Sequence, residues 1–142
     1  MKIVLNKQPG GLYLNRDTVR RYLELTGKKY YFYRLVMGPL SIEQKIKHRV
    51  KYSYEAVDKY ESLYEITTKD FGPFMNGPIS EEFWVRPMLL DRTDPILIQA
   101  IEELGDAASN DIFISLVIEE IPDGALWEIK DCGEQGELLI LK

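Results

Sequence analysis

Two short stretches and one amide hold the residues best equipped for recognition. Phe83-Trp84-Val85-Arg86 joins two aromatic rings to a guanidinium. Flat rings offer a stacking face, and arginine grips phosphates through parallel N–H bonds. Asp91-Arg92-Thr93-Asp94-Pro95 sets Arg92 beside an expected helix start. Free N–H groups and a partial positive charge make such a start a phosphate seat. Asp94 competes for those donors as a capping carboxylate, and Arg92 has Asp91 and Asp94 as alternative partners. Asn110, at the exit of the same helix, carries an amide that either reads a base edge or caps the helix end.

Groups that break bonds are scarce. The one histidine, His48, lies among Lys45, Lys47, Arg49 and Lys51, the setting of a solvated basic surface. The one cysteine, Cys132, follows Asp131, the wrong neighbour for a nucleophilic thiolate. One His and one Cys cannot build a zinc site of the usual kind. Neither GxGxxG nor GxxxxGK[S/T] occurs, and Gly10-Gly11 alone does not make a phosphate loop. Glu102-Glu103 and Glu119-Glu120 are adjacent pairs whose side chains point apart on a helix or a strand. The expectation is a binding protein and not an enzyme, with no catalytic residue, no metal and no cofactor.

Elements that would position these residues are legible from pattern. Lys2–Lys7 alternates as a strand with Ile3 and Leu5 on one face. Pro9-Gly10-Gly11 stops it. A helix capped by Asn15 or Asp17 runs to about Thr26, with Gly27 as its stop. Strands are expected at Lys29–Met37, Tyr60–Thr68 and Glu82–Arg86, a short helical turn from Ser41, and an ordered loop at Asp70–Ser80. Asp94-Pro95 begins the best-defined helix, whose Leu97, Ile101, Leu104 and Ala108 share a face. Strands Ile112–Ile121, Leu126–Lys130 and Leu138–Leu141 follow, the first two joined by a Pro122-Asp123-Gly124 turn. This order lacks regular strand–helix alternation. The fold class expected is therefore α+β, a mainly antiparallel sheet decorated by two main helices.

The 142 residues fit one domain, 1–142, with a core of ordinary size. No apolar run approaches the roughly 20 residues of a membrane helix, and the first residues do not read as a signal peptide. The net charge of −5 argues against coating DNA. Basic residues concentrate between Arg16 and Lys51 and acidic ones in the C-terminal third, a polarity that suits an anionic ligand, head-to-tail pairing of copies, or simple solvation. Eight of the nine tyrosines fall between Tyr22 and Tyr64, as strand residues or as an interface. The lone cysteine makes a cytosolic address the default expectation.

Two blocks of the chain resemble small bacteriophage proteins. One is MKIVLNK with Gly10-Gly11 and a Leu-rich helix start. The other is Arg92-Thr93-Asp94-Pro95, ILIQAIEELGDAAS, LVIEEIPDG and LWEI. Together they cover roughly half the chain, and residues 38–82 between them read as an insertion. Within such proteins the resemblance is to the Thoeris anti-defence protein 1 family. It implies a Greek-key-like decorated sheet and a homo-oligomer, dimer or higher, in the host cytoplasm. It also implies sequestration, without cleavage, of the cyclic ADP-ribose signal (glycocyclic ADP-ribose) made by bacterial TIR-domain enzymes. Some members also take cyclic oligonucleotides. For such a ligand Phe83 or Trp84 would stack, Arg86 and Arg92 would hold phosphates, Asp94 would accept from ribose, and Asn110 would read the base. Inhibition of a host protein by direct contact is the alternative.

Overall fold

A computed structural model of the chain describes residues 1–35, 48–52, 64–76, 78–109 and 112–142. The α+β class expected from the sequence is observed, and every described strand pair is antiparallel. The chain divides into two compact units, one made of Met1–Thr26 with Pro87–Lys142, the other of Gly27–Arg86. Charge divides with them. The first unit holds eight Lys and Arg against fifteen Asp and Glu, the second ten against eight.

The first unit is built around β1 (Lys2–Asn6), which pairs with β7 (Leu116–Glu120) in the register Val4 to Ile118. Strand alternation sends Ile3 and Leu5 to one face and Val4 to the other, and all three are fully buried. Val4 meets Leu12 and the apolar stripe Leu97, Ile98 and Ile101 of helix α2 (Pro95–Leu104). Ile3 and Leu5 meet Trp127, Ile129 and Leu139 of the hairpin β8 (Trp127–Asp131) and β9 (Glu137–Leu141). A two-stranded ribbon thus lies between a helical layer and a hairpin, and its strand β1 is dry on both faces. Helix α1 (Arg16–Thr26) packs on α2, and Arg21 pairs with Glu103 across them.

Asn15 is the cap of α1. Its Oδ1 accepts from the Thr18 backbone N–H at 2.9 Å and from the Thr18 hydroxyl at 2.7 Å, while its Nδ2 donates to Ala107 O at 2.7 Å. One amide therefore starts α1 and ties down the turn after α2. Asn15→Ala is expected to cost about 2 kcal/mol in urea denaturation, the upper end for a cap because the Ala107 bond goes too.

The second unit carries a five-stranded sheet in the order β5-β3-β2-β4-β6: β2 (Tyr31–Leu35), β3 (His48–Tyr52), β4 (Tyr64–Thr67), β5 (Phe74–Asn76) and β6 (Trp84–Val85). Tyr33 stands opposite Lys51 and Glu65, and Thr67 lies between Tyr31 and Trp84. These residues share one face, centred on the fully buried Tyr33.

Several boundaries differ from expectation. β3 sits in a run rich in Lys and Arg that reads as solvated surface; instead Arg49 pairs with Glu65 of β4 beside the Trp84 ring, and Lys51 pairs with Asp70 beside the Tyr31 ring. β5 is a short strand inside the expected loop. Glu82–Arg86 is a 3₁₀ turn at Glu81–Phe83 followed by only two strand residues. β7 begins at Leu116 and not Ile112, because Asn6 Oδ1 takes the Ser115 N–H and the Asn6 amide binds Phe113 O, bending the chain before the ladder. The helical turn from Ser41 lies outside the described residues.

Candidate ligand-binding face

The residues singled out by sequence fall in both units. Arg92 and Asp94 belong to the first, Phe83, Trp84 and Arg86 to the second, and Asn110 lies outside the described residues.

In the first unit Arg92 pairs neither with Asp91 nor with Asp94. Its guanidinium grips Glu137 of β9 through Nη1 and Nη2 at 2.6 and 2.8 Å, and also donates to Val4 O at 3.2 Å. The Arg92 carbonyl accepts from Val4 N–H at 2.9 Å, and the Glu137 carboxylate accepts from Asn6 N–H at 2.8 Å. In the antiparallel β1–β7 ribbon these even-numbered groups of β1 point away from β7. The Arg92–Glu137 pair therefore closes the outer edge of β1, where unpaired N–H and C=O groups would otherwise be left. Burial pushes the Glu137 carboxyl up. Arg92, the Asn6 N–H and Lys7 together outweigh it and hold the pKa below the ordinary value. Asp94 caps α2 through Ile96 N–H at 2.8 Å and accepts from the Tyr22 hydroxyl at 3.2 Å. Each has a structural task.

The second unit presents a different chemistry. The Trp84 ring has two guanidinium carbons near it, Arg49 at 5.1 Å and Arg86 at 5.6 Å from the ring centroid. Cations within about 6 Å of an indole are attracted by its negative face. Arg49 is anchored by Glu65 at 2.6 Å, and Arg86 by the exposed Glu81 at 2.5 Å. Lys51 stands 4.9 Å from the Tyr31 ring and bonds Asp70 at 2.6 Å. That bond, with Gly72 N–H, holds the Asp70 carboxyl below its usual range. The Phe71 and Phe83 rings meet edge to face at 5.7 Å, with the Lys69 ammonium 5.5 and 5.3 Å from their centroids. Tyr33 braces the loop beneath: its hydroxyl donates to Gly72 O at 2.9 Å and accepts from Phe71 N–H at 3.0 Å.

No protein-family model, curated protein or solved structure matches this chain.

The site is therefore read from its own geometry. Three residues picked by sequence, Phe83, Trp84 and Arg86, belong to this aromatic and cationic cluster. Arg49, Lys51, Lys69 and Phe71 were not among the residues picked for the site. The signal for Arg49 and Lys51 was their i, i+2 spacing, which puts them on one face of a strand. Among the described residues, no group of three or more His, Cys, Asp or Glu could hold a metal ion, and no helix is long and apolar enough to cross a membrane.

Proposed function

We propose that this chain works by occupancy, holding a nucleotide-type anion against the aromatic and cationic face of its second unit without breaking a bond. The observation that carries the reading is the Trp84 ring with Arg49 and Arg86 beside it. A base stacks on such a ring, and the cations around it favour a phosphate-bearing ligand. The net positive charge of Gly27–Arg86, within a chain of net charge −5, favours an anion there. The ligand we propose is the one implied by the resemblance, a cyclic ADP-ribose signal made by TIR-domain enzymes, with cyclic oligonucleotides as further candidates. In that role the chain is a phage-encoded sponge that inhibits Thoeris immunity in the host cytoplasm, as a homo-oligomer. Trp84→Ala tests the site. Loss of one stacking partner, worth about 1–3 kcal/mol, predicts affinity for cyclic ADP-ribose about 10- to 100-fold weaker by calorimetry. Unchanged affinity removes Trp84 from the site.

A second reading, direct capture of a host protein, is favoured by apolar side chains left in water on the first unit. Leu126, Leu138 and Leu141 are 71%, 48% and 55% exposed. A stoichiometric host partner recovered by pull-down, lost with Leu126→Asp and unaffected by Trp84→Ala, would establish it in place of the first.

A further inference from the structure

We infer that Lys69 is the seat of the ligand's phosphate, adjoining the stacking surface of Trp84. This deepens the reading of the Trp84 face and rests on it. The cations of that face differ in what holds them. Arg49, Lys51 and Arg86 are each bound to a carboxylate, of Glu65, Asp70 and Glu81. Among the described residues Lys69 is positioned by π-faces instead, its ammonium 5.5 Å from the Phe71 centroid and 5.3 Å from the Phe83 centroid. Its neighbour Asp70 is turned to Lys51 Nζ and to Gly72 N–H, at 2.6 and 2.8 Å.

A cation held by rings keeps its charge uncompensated while its position is fixed, the condition an anion seat needs. The Lys69 backbone is fixed as well. Its carbonyl accepts from the Thr67 hydroxyl at 2.8 Å, and Thr68 N–H donates to Phe83 O at 3.0 Å, joining the lysine's segment to the strand that carries Trp84. Trp84 is paired with Thr67, two residues before Lys69, which brings the lysine's segment beside the strand that carries the stacking ring. A nucleoside phosphate spans a planar base and a charged group in the same way. Lys69 is exposed, so its replacement leaves the sheet intact.

Calorimetry of the full chain with cyclic ADP-ribose, at low salt and at about 0.3 M salt, tests this. Lys69→Gln is expected to weaken binding about tenfold and to flatten its salt dependence, while Lys69→Arg stays within about threefold of wild type. Wild-type affinity and salt dependence in Lys69→Gln, with binding lost in Trp84→Ala, would overturn the phosphate seat and leave the face standing. Binding untouched by Trp84→Ala would overturn the face, and the seat with it.

Discussion

Glutamine in place of Glu137 is expected to lower the unfolding free energy by about 3 kcal/mol at neutral pH, read by urea denaturation. The substitution keeps the shape and an acceptor for Asn6 N–H but leaves the Arg92 guanidinium, only 18% exposed, beside a neutral amide. Removing one partner of a buried pair strands the other charge, which is why the loss exceeds that of an exposed pair such as Lys2–Glu102. The pair also closes the β1 edge, so exchanging both residues for apolar ones is not expected to restore stability. Val4 O and Asn6 N–H would lose their partners. The pH dependence has a definite sign. The folded-state pKa of Glu137 is depressed, so its contribution is complete above the unfolded carboxyl value, about 4.3. It disappears as pH falls through the lower folded value, and wild type and Glu137→Gln should converge there.

Among the described glycines, Gly136 is where an added methyl is expected to be most damaging, at about 4 kcal/mol. A Cβ there would stand 2.2 Å from the Lys7 carbonyl carbon and 2.5 Å from its Cα, at a residue with φ of 73°. Those atoms are backbone, following β1, so nothing can swing aside. Overpacking of this kind costs about 1–3 kcal/mol, and a left-handed backbone adds about 1–2. Gly136 also closes the turn into β9, its N–H bonding Gly133 O and its carbonyl accepting from Cys132 N–H. Gly124→Ala is the control. Its φ is 81°, with nothing within 4 Å of the added carbon, so only the backbone cost of about 1–2 kcal/mol should appear. Thermal melts of the two variants should therefore differ by roughly 10 °C.

What the sequence disclosed and what it hid divide along a physical line. Local rules worked where local chemistry decides. Asn15 and Asp94 cap the two described helices, and the alternation in Lys2–Asn6 placed Ile3 and Leu5 on one face. Long-range partners were hidden. Arg92 reads as a phosphate seat or as a partner of its near neighbours, yet it binds Glu137, 45 residues away. Glu137 has no local mark of burial, since its side chain is drawn inside by Arg92 and Asn6. The aromatic half of the site was legible in Phe83-Trp84-Val85-Arg86, because aromatics beside an arginine announce themselves. Its cationic half was not. Arg49 comes beside Trp84 only after β3, β2, β4 and β6 are laid side by side.

Native mass spectrometry of the purified chain with a panel of cyclic nucleotides bears most directly on occupancy. The expected spectrum shows a stoichiometric complex with cyclic ADP-ribose, and denaturing that complex returns the ligand at its original mass. A ring-opened or hydrolysed product, formed in excess over the protein, would contradict it.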